Sequence, residues 1–259
     1  MTQRCVFITG AAAGIGAATA RRFAARGWFV GLFDVDQAGV DRLATELGAD
    51  RALAGRLDVT RAEEWRLALD TFVRRTGRLD VLVNNAGILA SGPFDAIPLE
   101  RQQALVDVNV KGVLNGCHSA FPYLRDTPGA CVINLSSASA IYGQPSLAVY
   151  SATKFAVRGL TEALDLEWQA HGIRVLDVMP LFVQTAMVQG MDAASIGRLG
   201  INLGPDDVAA VVVDAATRVP RVPRVHRIVG IQARLFYKMA GITPDWLTRL
   251  INRHLAATH

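Results

Sequence analysis

The sequence lacks any apolar run near the roughly 20 residues that a bilayer-spanning helix needs, although 51% of its residues are hydrophobic. Cysteine is scarce, since Cys5, Cys117 and Cys131 lie among apolar neighbours without metal-ligand spacing. These absences argue against an integral membrane protein, a disulfide framework and a metal site, and they predict buried free thiols in a reducing cytoplasm. Because Met1–Arg4 leads directly into an apolar run, we also expect no signal peptide.

Acidic residues are nearly absent from the last part of the sequence. Residues 218–259 contain eight Lys or Arg and one acid, Asp245, whereas the whole chain has a formal net charge of +4. Such a segment could meet an acidic partner, an anionic membrane surface or nucleic acid. We favour a solvated rim around an oligomer contact or an active-site cover. Nucleic acid is disfavoured because no recognition motif accompanies the charge.

Short apolar runs alternate with helical patterns along the chain. This alternation predicts an α/β fold, a doubly wound parallel sheet of about seven strands with helices on both faces. Strands are predicted at residues 5–9, 29–33, 52–57, 80–84, 131–135, 174–178 and 227–231, and helices at 15–26, 37–47, 61–76, 100–123, 149–169 and 206–216. A sheet of this kind binds its ligand at the carboxyl ends of the strands.

Two segments depart from this pattern. Residues 181–204 hold few charges and several glycines, which predicts a mobile cover over the site. Prolines exclude a helix from residues 218–225. Beyond them, residues 232–240 and 244–256 have the pattern of two amphipathic helices.

A glycine-rich turn, from Gly10 through Ala13, Gly14 and Ile15 to Gly16, follows the first predicted strand and opens the first helix. Glycine permits a tight turn and a close approach of the backbone to a pyrophosphate, whose charge the helix N-terminus favours. The spacing is G-x3-G-x-G rather than G-x-G-x-x-G, so the turn alone is also compatible with simple packing. Its position directly after the first strand favours a dinucleotide site.

Asp34 ends the second predicted strand, where an acid can hydrogen-bond the adenosine ribose hydroxyls. Its carboxylate would repel a 2′-phosphate, and no Arg or Lys lies within residues 10–16 or directly after Asp34 to neutralise one. The sequence therefore predicts NAD, with NADP disfavoured. A helix cap is the alternative role for Asp34, although Asp36 is better placed to cap the following helix.

Tyr150 and Lys154 stand about one helical turn apart, thirteen residues after Ser137. A phenol of pKa ~10 is a poor base at neutral pH, and an adjacent ammonium favours the phenolate and lowers that pKa. In isolation the two residues could be an ordinary surface pair. Together with the glycine turn, they predict the proton transfer that accompanies reversible hydride transfer.

Further motifs follow in order: Asp58-Val59, Asn84-Asn85-Ala86-Gly87, Asn109, Ser136-Ser137, and Pro180 with Thr185. With the glycine turn and the Tyr150-x-x-x-Lys154 pair, they resemble the short-chain dehydrogenase/reductase family. The resemblance implies a dinucleotide-binding and catalytic Rossmann fold in residues 1–217, with 218–259 as a strand and helical tail of the same domain. It implies an NAD-dependent oxidoreductase that interconverts a secondary alcohol and a ketone. A homodimer or homotetramer built on the helices at 100–123 and 149–169 is also implied.

The resemblance assigns roles to four residues. Tyr150 would be the general acid/base, Lys154 would lower its pKa and hold the nicotinamide ribose, and Ser137 would align the substrate oxygen. Asn109 would anchor a water that links Lys154 to solvent, or would have a purely structural role in its helix. Ser137 is preferred to the neighbouring serines by its spacing.

The same resemblance implies a set of cofactor contacts. Asp58 would contact the adenine beside the backbone of Val59, and Val183 and Thr185 would hold the carboxamide. The complete set is Gly10, Ala13, Gly14, Ile15, Gly16, Asp34, Asp58, Val59, Asn85, Ala86, Gly87, Tyr150, Lys154, Pro180, Val183 and Thr185.

Leu181 follows Pro180 where the family usually has glycine, and it adds apolar bulk beside the nicotinamide. Burial of apolar carbon contributes ~25 cal/mol per Å², so an apolar wall favours a bulky lipid-like, steroid-like or aryl ketone over a sugar. The predicted substrate wall consists of Ser137, Ser139, Ile141, Tyr142, Leu147, Leu181, Phe182, Met187 and Met191.

Two alternatives to a soluble enzyme stay open. One is a non-catalytic nucleotide-sensing protein of the same fold, which would have no need of the phenol–ammonium pair. The other is a membrane-peripheral dehydrogenase of lipids or steroids, whose tail helices rest on anionic lipid.

Overall fold

The structure is a computed structural model, which describes residues 3–181, 183–185, 203–220, 222–240, 243–244, 246–247, 249–250 and 253. Its strands are β1 Cys5–Thr9, β2 Phe29–Asp34, β3 Ala52–Arg56, β4 Val81–Asn84, β5 Cys131–Leu135, β6 Arg174–Pro180 and β7 His226–Val229. They form one sheet in the order β3-β2-β1-β4-β5-β6-β7, with every neighbouring pair parallel. The predicted doubly wound α/β class is confirmed.

The helices among the described residues are α1 Gly14–Ala24, α2 Gln37–Leu47, α3 Ala62–Thr76, α4 Leu99–Val106, α5 Gly112–Arg125, α6 Ala148–Glu167, α7 Pro205–Thr217 and α8 Ile231–Ala240. Apolar side chains of α1, α2 and α7 pack on one face of the sheet, and those of α3, α5 and α6 on the other. Because both faces are covered, β1 and β5 are buried along their whole length. The three cysteines are buried free thiols, as predicted.

The predicted helix at 100–123 is interrupted. A π-helical turn over Asp107–Lys111 separates α4 from α5, so the prediction of one continuous helix was wrong. Asn109 lies in this turn, fully buried, with its amide hydrogen-bonded to the backbone of Ile88. A π turn inside a helix often occurs at functional sites, and here it aims a polar side chain at the segment that follows β4.

The last strand begins at His226 and ends at Val229, before Gly230 at φ +95°, so it lies one to two residues earlier than predicted. No helix forms between α7 and β7 in the residues described there, in agreement with the prolines. Most of the predicted cover at 181–204 and of the predicted helix at 244–256 lies outside the described residues.

The strand order reverses between β1 and β4, which are neighbours in the sheet. Connections leave these two strands on opposite faces, so a crevice opens at their carboxyl ends. Gly10 lies there at φ +64°, and a Cβ on it would come within 2.8 Å of the Ala86 Cα. Only glycine fits between the two strand ends.

Candidate active site

The turn after β1 is fixed by side chains from the end of β4. Asn85 Nδ2 donates to the carbonyl oxygens of Thr9 (2.9 Å) and Gly10 (3.0 Å), and Thr9 Oγ1 accepts from the backbone N–H groups of Asn85 and Ala86. Gly16 packs underneath, where a Cβ would overlap the Gly10 carbonyl oxygen. The two strand ends are therefore locked together beneath the crevice.

Helix α1 opens toward the same crevice without a side-chain cap. Ala13 at its N-cap provides no side-chain hydrogen bond, and the first turn contains no acid. The first N–H groups of a helix have no partner within it and favour an anion. Gly10, Ala13, Gly14 and Ile15 line the crevice at this point, an arrangement that fits a pyrophosphate.

Asp34, at the end of β2, is held at the rim of the crevice by two backbone N–H groups. Its carboxylate accepts from Ala12 N (3.0 Å) and Asp36 N (3.1 Å). Asp36 itself caps α2 by accepting from Gly39 N at 2.9 Å, which confirms the sequence assignment of the cap. The Asp34 carboxylate is thus held in a fixed position beside the glycine turn.

Asp58 lies next to Val59 on the crevice wall. Its carboxylate accepts from both the backbone N–H and the hydroxyl of Thr60, at 3.0 and 2.7 Å. Burial acts to raise the pKa of Asp58, but these bonds and the charges of Arg56 and Arg61 hold it below its usual value. A second carboxylate therefore stays ionised at the same end of the crevice as Asp34.

The crevice has a volume of about 450 Å³. Every predicted cofactor residue except Gly16 lines it, and Lys154 is the one basic side chain among its lining residues in the described part of the chain. The lining extends from Asp34 and Asp58 at one end to Ser137, Tyr150 and Leu181 at the other. The residues present thus fit a dinucleotide.

The catalytic candidates meet at the far end of this crevice. Ser137 follows β5 in extended conformation, accepts from Ser139 N (3.1 Å) and donates to Ser139 Oγ (3.2 Å). Tyr150 and Lys154 project from the first turns of α6, as the four-residue spacing predicts. The Lys154 Nζ donates to the Leu135 carbonyl oxygen at 2.8 Å and lies 5.5 Å from the Tyr150 ring centroid.

Burial shifts the pKa values of Tyr150 and Lys154 so that the neutral form of each side chain is favoured. It raises the pKa of Tyr150 to about 12, with a smaller opposing effect from a hydrogen bond to Ser137. It also lowers the pKa of Lys154 to about 8. From the sequence we expected Lys154 to lower the pKa of the Tyr150 phenol. In the protein without cofactor this pKa is raised instead, because desolvation of the phenol is the larger effect.

Asn109 connects the π turn to the segment after β4 and to α6. Its Oδ1 accepts from Ile88 N (2.8 Å), and its Nδ2 donates to Ile88 O (2.9 Å) and to Thr153 Oγ1 (3.2 Å). A Cβ placed on Gly87 would lie 3.2 Å from Asn109 Oδ1 and 3.8 Å from Lys154 Nζ. Asn109 and Lys154 therefore both approach Gly87, and the predicted role of Asn109 in proton relay stays a prediction.

The predicted substrate wall is brought together in part. Ser137, Ser139, Leu147 and Leu181 line the crevice. Ile141 and Tyr142 are not among the lining residues, and their place in the substrate wall stays a prediction. They pack in a neighbouring apolar cluster with α8, where the Tyr142 ring meets that of Phe236 with centroids 6.3 Å apart. Phe182, Met187 and Met191 lie outside the described residues.

Sequence reasoning missed several lining residues. Most are apolar and come from strand ends or the π turn, and they had no local signal: Val35, Leu57, Ile88, Leu89, Val108, Leu135 and Ala138, together with Ser136. Gln144 is different, because it is buried and its Oε1 has no hydrogen-bond partner among the described residues. An amide in a run of apolar and turn residues was a weak signal that could have found it.

The family model described as short chain dehydrogenase matches residues 4–195. Meso-2,3-butanediol dehydrogenase of Serratia marcescens is 34% identical over 216 residues, which are 81% of this chain and 86% of that protein. The 3-alpha-(or 20-beta)-hydroxysteroid dehydrogenase of Mycobacterium tuberculosis is 39% identical over 184 residues, 71% of this chain and 70% of the relative.

A solved structure resembles the whole arrangement. The crystal structure of 3-ketoacyl-(acyl-carrier-protein) reductase from Brucella melitensis complexed with NADH superposes with a TM-score of 0.80 at 30% identity. The match covers 88% of this chain and 98% of that one.

Proposed function

Because the chain belongs to the short-chain dehydrogenase/reductase family, we propose that it is an NAD-dependent oxidoreductase that interconverts a secondary alcohol and a ketone. The observation that carries the proposal is the convergence of Ser137, Tyr150 and Lys154 at one end of a crevice whose other end holds a glycine turn and Asp34. A protein that only senses a nucleotide does not need Ser137, Tyr150 and Lys154 beside a substrate.

In the proposed reaction, the nicotinamide supplies or accepts the hydride. Tyr150 holds a proton on its phenol oxygen in the protein alone, since its pKa is raised to about 12. A neutral phenol beside the substrate oxygen can donate that proton as a ketone is reduced. Ser137 orients the same oxygen through its hydroxyl, and the Lys154 ammonium is anchored by Leu135 O where it can also bind a ribose hydroxyl.

We assign NAD as the preferred cofactor. Asp34 fixes a carboxylate where the adenosine ribose would lie, and Asp58 adds a second one at that end of the crevice. A 2′-phosphate there would need a nearby cation. Lys154 is the one basic lining residue in the described part of the chain, and it belongs to the opposite end.

The substrate is proposed to be a bulky apolar alcohol or ketone with a second polar group. Leu147 and Leu181 give the substrate end apolar walls, which favour apolar carbon over a sugar. The buried Gln144 Oε1 and the buried hydroxyl of Tyr142, whose pKa the Gln144 side chain influences, both have no partner among the described residues, and a buried polar group without a partner costs about 1–3 kcal/mol. A substrate hydroxyl or amide N–H would satisfy the Gln144 oxygen.

Self-association through α4, α5 and α6 is part of the proposal. Large apolar side chains are exposed on these helices, among them Leu99, Leu114 and Leu166. Exposed apolar surface of this kind is typical of oligomer contacts. Whether two or four chains assemble is a matter for sedimentation analysis.

The decisive experiment is nicotinamide absorbance change across a panel of apolar and polar secondary alcohols and ketones. We expect NAD-linked turnover that Tyr150→Phe reduces about 10²–10⁴-fold without loss of NADH binding, measured by fluorescence. Tyr123→Phe is the matched control, because that phenol lies on α5 and hydrogen-bonds Asp70. NADH binding with no turnover of any panel member would favour the sensor.

A further inference from the structure

Helix α8 exposes a row of apolar side chains. Ile231 is 85%, Leu235 58% and Met239 38% exposed, and their spacing of four places them on one helix face. Beyond the helix, Trp246 (67% exposed) and Leu250 repeat the spacing. Single exposed apolar residues are ordinary, but a row of this length marks an interaction surface.

The opposite face of α8 is also apolar and already has its partner. Ala233 is fully buried, and Phe236 and Tyr237 pack with Tyr142 and Leu181 beside the substrate end of the crevice. This face holds the helix on the protein. The row of Ile231, Leu235 and Met239 is therefore not needed for attachment of the helix to the sheet.

Basic side chains flank the exposed row. Arg234 and Lys238 are exposed on α8, and Arg249 and Arg253 are exposed further along. The sequence of α8 contains no acid, and residues 218–259 contain eight basic residues against one acidic residue. An apolar row with basic flanks is the pattern of a helix that lies in the interface of an anionic membrane.

A second copy of this chain is a poor occupant for this face. In a two-fold contact the same patch meets itself, so two faces of α8 that each carry Arg234 and Lys238 and no acid would be brought together and would repel each other. Anionic lipid provides both an apolar layer for the row and phosphate for the cations. Among the described residues, no helix is long and apolar enough to span a bilayer, so the contact would be with the surface.

We propose that α8 docks the protein on an anionic lipid bilayer, with Ile231, Leu235 and Met239 among the acyl chains and Arg234 and Lys238 at the phosphates. The buried face of the same helix borders the substrate end of the crevice. Docking therefore places the crevice next to the lipid, where an apolar substrate dissolves. This last step rests on the proposed function, whereas the docking itself does not.

The test is co-sedimentation of the full chain with vesicles of phosphatidylcholine alone and with vesicles that also contain phosphatidylglycerol. We expect binding to the anionic vesicles, weakened by salt as a basic surface requires.

The double variant Ile231→Ser, Leu235→Ser should lower the partition coefficient about tenfold or more. The double variant Arg234→Gln, Lys238→Gln should also lower the partition coefficient and should make binding less dependent on salt. Leu67→Ser is the control, since Leu67 is an exposed leucine on α3.

Three outcomes would overturn the docking proposal: no binding to anionic vesicles, equal binding to both vesicle types, or an equal loss of binding in Leu67→Ser. A drop in oligomer mass for the Ile231, Leu235 double variant without vesicle binding would instead make this face a contact between copies. Turnover of a water-soluble substrate, measured without vesicles, should be the same in the variants. This turnover tests the proposed oxidoreductase activity separately from lipid binding, so a failure of the docking proposal can be distinguished from a failure of the proposed function.

Discussion

Lys154 holds its ammonium nitrogen 5.5 Å from the ring centroid of Tyr150 while it donates a hydrogen bond to the Leu135 carbonyl oxygen. Burial lowers the pKa of Lys154 to about 8 and raises that of Tyr150 to about 12. Of the two groups, the lysine is therefore the one that changes charge at mildly alkaline pH. Below pH about 8 it is a cation and a three-proton donor, and above it the charge is lost.

This relationship predicts a pH dependence of cofactor capture. We expect kcat/KM for NADH to fall as pH rises through about 8, because kcat/KM reports groups of the free enzyme. Lys154→Arg keeps its charge above pH 12 and should remove the alkaline fall, at a lower overall rate. The measurement is a steady-state profile with NADH limiting. A wild-type profile that stays flat through this range contradicts the assignment of Lys154.

We predict that the Asp34 carboxylate makes the enzyme prefer NADH to NADPH. Removal of this carboxylate in Asp34→Ala should raise the NADPH/NADH ratio of kcat/KM about tenfold or more, because relief of ~1.4 kcal/mol of like-charge repulsion is already a factor of ten. Asp36→Ala is the matched control, since Asp36 caps α2. It should cost about 1 kcal/mol of unfolding free energy and leave selectivity unchanged. Equal selectivity in wild type and Asp34→Ala would remove the basis for NAD preference.

We predict that Gln144 makes the enzyme prefer a ketone with a second hydroxyl to the same ketone without it. In Gln144→Met the buried acceptor becomes apolar, so kcat/KM for an apolar ketone that carries a second hydroxyl should fall about 10-fold or more, the effect of ~1.4 kcal/mol. The corresponding ketone without the hydroxyl should be used equally well or better. Parallel losses on both substrates would mean that Gln144 acts only through packing of its loop.

The fold, the glycine turn and the Tyr150–Lys154 pair could be predicted from local patterns, whereas most of the other site residues were implied by the family resemblance. Nearly all-apolar runs such as Cys5–Thr9 and Cys131–Leu135 indicate strands covered on both faces, and they form at those bounds. Tyr150 and Lys154 needed only helical spacing to be placed together. In each case the information lies within one element of the sequence.

The remaining features depend on partners that are distant in sequence. The π turn at Asp107–Lys111 involves Asn109 bonding to Ile88, 21 residues away. The Tyr142 ring packs against that of Phe236 on α8, a partner that lies far away in the sequence. The phenol pKa rises because the assembled fold desolvates Tyr150, an effect that no spacing of residues reveals.

A cluster of charged side chains outside the crevice, in which Asp177 is buried and Glu162 is exposed, links β6, β7 and α6. His226 Nδ1 lies 3.0 Å from Asp177 Oδ1, and its Nε2 lies 2.9 Å from Glu162 Oε1. Arg158 pairs with Glu162 and lies over the Tyr237 ring, which also faces His226. Burial acts to lower the pKa of His226, but the Asp177 bond and charge outweigh it and raise the pKa above its usual value. Burial raises the pKa of Asp177.

These shifts predict that stability falls as pH rises. A histidine whose pKa is raised by folding contributes stability that is complete below its unfolded pKa of ~6.5 and is lost as pH passes the folded value. The raised pKa of Asp177 acts in the same direction. Urea unfolding should show a smaller free energy of unfolding at pH about 7.5 than at pH about 6. The higher value stays below the pKa of about 8 of Lys154, because above it the lowered lysine pKa changes stability in the opposite direction. His226→Gln should lower the free energy of unfolding by about 1–3 kcal/mol at the lower pH and much less at the higher one. The exposed His171→Gln is the control, and an equal loss in His226→Gln at both pH values would show that the pair stabilises the fold without titrating.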